Sequence, residues 1–376
     1  VKNIRVGFTG DFCPIGRVES HFLNNTWKDL FNPVLDFFKK NELNVVELEC
    51  PLTKSSAKIE KTGPYLKGRP ETAEILSYLN CQLVATANNH FKDYGWNGMQ
   101  DSYTALEENG ISWLGSGENI KEASIPFYFE KNDIKISFLN MTEQEWSIAS
   151  FDIEGCNPIN FPYALQQIQK DKEAGIDFVI VMIHGGHEHY PLPSPRMKEQ
   201  FRFMIDAGAD AVIGHHTHII SGFETYKNRP IFYGLGNFCF DYKNIGKETW
   251  HYGMLLQLIL EKGDTPKFEY SFIRQNGEEV GISYLSEEKK LAIEAEIAEI
   301  NNIILSDDLL RDAFEVFSNS LKPAFLCRIQ PYNNRYLLAL YRRGLIPGLM
   351  NRSKRNMIKI LSQCESHREI LIDVLK

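Results

Sequence analysis

The chain has 376 residues, 43% hydrophobic and 24% charged, with 26 glycines and 16 prolines, which excludes disordered and collagen-like proteins and fits an ordinary globular enzyme. A formal net charge of -8 argues against a nucleic-acid binder, which needs a basic field. The charge is uneven: residues 331–376 hold nine Lys or Arg against three Asp or Glu, net +6, leaving -14 on residues 1–330. The seven cysteines are scattered, without a CxxC pair, and read as reduced thiols. No apolar run reaches the ~18 residues of a membrane span. The reading favours a cytoplasmic or membrane-peripheral location, while a start at Val1 rather than Met leaves a processed signal or anchor, and so export, open.

From residue 1 to about 240, apolar strands alternate with polar turns and amphipathic helices, the pattern of stacked βα units. Strands are expected over Ile4 to Thr9, Asn44 to Leu48, Leu83 to Ala87, Phe178 to Ile183 and Ala211 to Ile213. They run into Asp11, Glu49, Asn88-Asn89-His90, His184, and Gly214-His215-His216-Thr217-His218. Because open α/β sheets bind ligands outside the carboxyl ends of their strands, these five ends form one candidate site. Helices are expected over Pro70 to Leu79, Trp96 to Glu108, Phe161 to Glu173 and Pro195 to Ala207. Residues 125–139 and 219–284 read as strand after strand, implying a second, partly antiparallel sheet. Beyond Ser286 the pattern turns helical, over Glu287 to Leu305, Asp307 to Ser318 and Ser353 to Leu375. The domain reading is therefore residues 1–286 as a catalytic domain and 287–376 as a helical extension with a basic tail.

Imidazole, carboxylate and amide donors at strand ends are the ligand set that metals of borderline hardness select, and paired ions need a bridging carboxylate. Gly214-x-His216-x-His218 is the most specific piece, since alternate residues of an extended segment point the same way.

Gly10-Asp11, Glu49-Cys50-Pro51-Leu52-Thr53, Asn88-Asn89-His90 with Asp93-Tyr94-Gly95, His184-Gly185-Gly186-His187-Glu188, Gly214-His215-His216-Thr217-His218 and Gly234-Leu235-Gly236-Asn237-Phe238 resemble the capsule-synthesis (CapA-like, poly-γ-glutamate) branch of the calcineurin-like metallophosphatases, over residues 1 to about 242. The resemblance implies a four-layer αββα metallophosphatase sandwich, to which this chain adds a helical C-terminal extension. It implies that Asp11 and His218 hold one divalent ion, that Asn89, His184 and His216 hold a second, and that Glu49 bridges them. Mn, Fe or Zn are the expected metals, with Mg as an alternative. His90 would assist the leaving group or stabilise charge on the substrate, with a supporting role behind the ligands as its alternative.

Two positions depart from the superfamily. Its usual Asp-x-His opening is Asp11-x-Cys13 here, and Cys13 reads as a small buried filler, with a thiolate ligand as the alternative. The bridging residue is Glu rather than Asp, with Glu47 the competitor of Glu49. Asn88, Asp93, Glu188, His215 and Asn237 are expected to contact substrate or support the ligands, although Asn237 reads equally well as a turn former. Lys67, Gly68 and Arg69 read as a solvated charged loop, with the grip of an anionic substrate as the alternative, and Lys61 and Lys67 are placed outside the site.

In the tail, cations from Arg342 to Lys359 interleave with Leu345, Ile346, Leu349, Met350, Met357 and Ile358, and the last helix aligns Met357, Leu361, Cys364 and Leu371. A helix packed on the catalytic domain is the plainer reading; docking of residues 331–376 on an anionic membrane surface or an acidic polymer is the other. The functional expectation is metal-dependent hydrolysis of a phosphoester, with amide hydrolysis as the alternative chemistry. The substrate is an anionic small molecule or polymer, no nucleic acid is involved, and the context is a capsule-synthesis complex. The rival is a non-catalytic component of that complex that binds metal and polymer.

Overall fold

The computed structural model describes residues 3–242, 247–332 and 334–363. The chain divides into two compact units, Val1–Leu310 and Arg311–Lys376. In chain order the strands are β1 (Asn3–Cys13), β2 (Leu43–Leu48), β3 (Leu83–Ala85), β4 (Ser112–Leu114), β5 (Ser116–Gly117), β6 (Phe127–Lys131), β7 (Ile134–Thr142) and β8 (Gly155–Cys156). They continue with β9 (Phe178–His184), β10 (Ala211–His215), β11 (Phe223–Tyr226), β12 (Arg229–Phe232), β13 (Asn237–Phe240), β14 (Tyr252–Glu261), β15 (Lys267–Gln275) and β16 (Ile282–Tyr284).

Two large sheets result. The first has the order β16-β15-β14-β1-β2-β3-β4, with β13 paired to the end of β1; the second is β11-β12-β10-β9-β7-β6. Side chains alternate across each strand, so each sheet has one face for its partner sheet and one for helices. Ile4, Val6, Phe8 and Val45 of the first sheet meet Ile136, Phe138, Ile180, Met182 and Ile213 of the second in a shared core. Val46, Leu48 and Val84 turn the other way, under Phe31, Phe38, Leu76, Met99 and Leu106. On the far side, the helices Phe161–Glu173 and Pro195–Asp206 pack on β9, β10 and β12. The four layers αββα are complete.

The helix Pro195–Asp206 starts where Ser194 accepts a hydrogen bond from the Met197 amide and Pro195 presets the backbone. Pro70 instead opens a 3-10 turn, Pro70–Thr72, before the helix Ala73–Tyr78. The segments expected to build a separate second sheet are divided between the two. The strands from 252 to 284 extend the first sheet as an antiparallel meander, with β14 antiparallel to β1, while β6, β7, β11 and β12 flank β9 and β10. The five functional strand ends therefore come from two facing sheets: β1, β2 and β3 from one, β9 and β10 from the other.

The helix Glu287–Leu305 lies within the first compact unit and packs on β11, whereas the sequence reading groups it with the extension. The helix Asp307–Arg328 continues past Ser318 and through Pro323. Two further helices, Arg335–Arg342 and Arg352–Gln363, follow. Cys364 and Leu371, aligned with Met357 and Leu361 in the sequence reading, lie outside the described residues.

Candidate metal centre

Strand parity explains which side chains reach the space between the sheets. On β2, Val45 faces the inter-sheet core while Val46 and Leu48 face the helices, so Glu47 points inward and Glu49, just past the strand, follows. On β9, Phe178, Ile180 and Met182 face inward, and His184 keeps that direction. On β1, Ile4, Val6 and Phe8 face inward, so unbroken alternation would turn Asp11 outward. Instead the register shifts between Phe8 and Asp11, Phe12 packs under the helices, and Asp11 is re-aimed into the cluster. Gly10 makes that irregularity feasible, because a Cβ there would lie 1.9 Å from the Gly236 carbonyl oxygen.

His216 and His218 reach the cluster by another route than the expected alternation. β10 ends at His215, and both histidines adopt left-handed backbone, φ 89° and 56°. Non-glycine residues rarely adopt it, and the strain is held in place by the surroundings.

Among the described residues, three sets of side chains each bring one potential ligand atom per residue to within 4.8 Å of one another: Glu49, His184 and His216; Glu188, His216 and His218; and Asp11, Glu49 and His218. Glu49 belongs to two of them. Its Oε1 lies 3.7 Å from His184 Nε2 and 3.5 Å from His218 Nε2. His184 Nε2 also faces Asn89 Oδ1 at 3.2 Å and His216 Nδ1 at 3.1 Å. Asp11 Oδ2 lies 3.2 Å from His218 Nδ1. Asn89 and His216 thus gather around His184 Nε2, Asp11 and Glu49 around His218, and His216 also shares a set with His218 and Glu188.

Glu47 approaches the opposite nitrogen of His184, Nδ1, at 3.2 Å, and lies 3.9 Å from His215 Nδ1. It thereby stands behind an imidazole whose Nε2 faces the cluster, where a carboxylate can support a ligand. His215 Nε2 meets the Thr9 carbonyl oxygen at 3.0 Å, away from the ligand sets. Asn88 ties the layers together: its Nδ2 donates to Glu47 Oε1 and the Leu48 carbonyl, and its Oδ1 accepts from the amides of His90 and Phe91. Asn237 Oδ1 lies 3.1 Å from His218 Nδ1, and its Nδ2 donates to the carbonyls of His218 and Trp250, so it orients a histidine as well as ending a turn. Cys13 is in none of the sets; it packs with Cys50, Leu66, Phe240 and Trp250. Burial, then the contact with Cys50, pushes its thiol well up, the surroundings of a filler rather than of a thiolate.

His90 is 7% exposed beside the cluster, and its Nδ1 meets Asp93 Oδ2 at 2.8 Å. The sequence reading is corrected at Lys61. Its side chain is 2% exposed, its ammonium pairs with Asp93 Oδ1, and it lies 3.2 Å from His90 Nδ1. One ring nitrogen cannot donate to Asp93 and accept from Lys61 at once, so the carboxylate is the ammonium's productive partner and Nε2 is left for the site. No local pattern marks Lys61, since its partners lie about thirty residues away on the β3 turn. Lys67 turns elsewhere, to the Ser55 carbonyl and the Tyr94 ring. His187 and His189, in the loop after β9, are outside the ligand sets, while exposed Glu188 overhangs His216 and His218.

The electrostatics call for cations. Burial, reinforced by Asp11, pushes Glu47 and Glu49 well above the usual carboxylate range. Burial also raises Asp11, but its hydrogen bond and charge interaction with His218 outweigh that and leave it lowered. Burial, then His216, holds His184 well below its ordinary value. Burial opposes protonation of His218 too, yet the hydrogen bond to Asp11 leaves it raised. Asp11 Oδ1 and both Glu49 oxygens are buried without a hydrogen-bond donor. Orphaned carboxylate oxygens are costly in an interior unless a positive charge fills the gap, and nitrogen and oxygen donors in this mixture suit a divalent ion.

Two facing sheets between helical layers, with this cluster at their strand ends, form an αββα sandwich that carries a candidate metal site. The family model described as "Bacterial capsule synthesis protein PGA_cap" matches residues 5–242, and the chain belongs to that family. It is 32% identical over 250 residues to the capsule biosynthesis protein CapA of Bacillus anthracis, covering 64% of this chain and 60% of that one. It is 28% identical over 270 residues to the PGA biosynthesis protein CapA of Bacillus subtilis, covering 71% and 70%. Among solved structures it is similar to the calcineurin-like phosphoesterase YfkN of Bacillus subtilis, at 13% identity and a TM-score of 0.42, covering 81% of this chain and 99% of that one. No helix among the described residues is long and apolar enough to cross a membrane.

Proposed function

We propose that the chain is a metal-dependent phosphoesterase acting in the metabolism of an anionic capsule polymer of the poly-γ-glutamate kind, with residues 1–286 as its catalytic part. The observation that carries this reading is the position of Glu49, one buried carboxylate within 3.7 Å of His184 and 3.5 Å of His218 and without a donor of its own. In this reading Asp11 and His218 would hold one divalent ion, Asn89, His184 and His216 a second, and Glu49 would serve both. Mn, Fe and Zn suit the donors best. Such ions, once bound, supply Lewis-acid polarisation of a phosphoryl oxygen.

The chain's own residues do the rest. Glu47 and Asn237 hold His184 and His218 in register. Asp93 engages Nδ1 of His90, so Nε2 can give a proton to the departing oxygen or stabilise charge developing there. With Cys13 outside the ligand sets, the Asp11 side keeps few protein donors, which suits a reactive centre rather than a closed structural one. The capsule context rests on family membership.

The test measures metal content together with hydrolysis of a chromogenic phosphodiester, a phosphomonoester and a γ-glutamyl anilide in the presence of Mn²⁺. The reading expects two ions per chain and a phosphodiester rate that falls about 10²–10⁴-fold in His90→Ala with metal content unchanged. Fewer than two ions and no rate sensitive to His90 would establish a binding component instead. Faster cleavage of the anilide would move the chemistry to amides.

A further inference from the structure

From Val316 to Cys364 the sequence contains no Asp or Glu and nine Lys or Arg, in a chain whose net charge is -8. This segment makes up most of the second compact unit. It also leaves large apolar side chains in the open: Leu345 is 66% exposed, Tyr336 65%, Met357 57% and Leu349 50%. Leu345 and Leu349 sit on the Gly-Leu-Ile-Pro-Gly-Leu connection between the helices Arg335–Arg342 and Arg352–Gln363, and Arg342, Arg343 and Arg352 bracket it. The Arg335 guanidinium lies 4.9 Å over the Tyr336 ring and that of Arg328 5.2 Å over Phe325. Cation and apolar body are thus presented side by side, the arrangement in which a long side chain keeps its charge at a polar boundary while apolar groups go below it.

We propose that this segment is a docking surface for an anionic phospholipid bilayer. Leu345 and Leu349 enter the acyl boundary, and Arg342, Arg343, Arg352 and Lys354 engage the headgroups. Charge complementarity selects an anionic partner. The exposed leucines select a lipid surface over a soluble polyanion, which would neutralise the cations and leave the apolar side chains in water. The inference is independent of the chemistry at the metal cluster.

The experiment is flotation of the full chain with phosphatidylglycerol-containing vesicles, with pure phosphatidylcholine vesicles, and with soluble polyglutamate as competitor. Expected are binding to the anionic vesicles only, weakened by salt, and a tenfold or greater loss in both Arg342→Gln/Arg343→Gln and Leu345→Ser/Leu349→Ser. Leu345→Trp gives a second readout, quenching by brominated anionic lipid. Equal binding to neutral vesicles, an unaffected leucine variant, or no quenching overturns the proposal. So does polyglutamate binding that depends on the arginines but not the leucines, which would make the segment a polymer site, or a leucine variant that changes only the oligomeric state.

Discussion

Replacing Lys61 by Met tests whether a loop cation is built into the interior beside the candidate metal centre. The Lys61 side chain is 2% exposed and that of its partner Asp93 fully buried. Removing one member of a buried ion pair leaves the other charge uncompensated, at a cost of about 3–5 kcal/mol. Asp93 keeps two donors in the variant, the Leu66 amide and His90 Nδ1, both at 2.8 Å, which places the expected loss at the lower end, about 3 kcal/mol. Urea unfolding in the presence of a chelator measures it without a contribution from metal. Adding Asp93→Asn to Lys61→Met removes the orphaned charge and should recover more than half of the loss. A loss below about 1 kcal/mol, the size expected of an exposed pair, or no recovery in the double variant, would refute the buried pairing.

His216→Ala should reduce the bound metal by at least one ion per chain, read by elemental analysis, because His216 belongs to two of the three ligand sets. Burial and then Asp11 hold the Glu49 carboxyl well above the usual carboxylate range, so metal binding should release protons, and Glu49→Gln should lower the number released in calorimetry across buffers. A carboxyl raised on folding contributes stability below its unfolded value and loses it as pH rises through its folded value. The stability advantage of metal-free Glu49→Gln over the parent should therefore grow from pH 4.5 upward, and a flat difference would contradict it. Cys13→Ala should leave metal content unchanged and cost about 1 kcal/mol in thermal or urea unfolding, the price of one small buried group.

The strand-helix alternation and the polar residues closing each apolar run were legible in the sequence, because strand burial writes itself as period and length. Glu49, His184 and the Asn88-Asn89-His90 turn follow from it directly. Asp11 does not: its inward direction depends on a shift of register at Gly10, and alternation alone would turn it away. The left-handed backbone at His216 and His218 is likewise imposed by the surrounding fold and carries no local signature. Division of the strands between two sheets is a matter of long-range pairing, which hydrophobic period cannot specify. Lys61 was hidden for the same reason, since its burial depends on residues on another turn. The helix through Pro323 shows local propensity overridden, as the proline sits inside it rather than ending it.

Because the ligand cluster draws Asp11, Glu49 and Asn89 from one sheet and His184, His216 and His218 from the other, no half of the chain contains it. At a synthesis rate of roughly 5–20 residues per second, about 10–40 seconds separate the emergence of Asp11 from that of His218. A metal held by this cluster would therefore seal an assembled sandwich rather than template its folding. A chelator present during refolding should leave the folding rate unchanged and raise the unfolding rate.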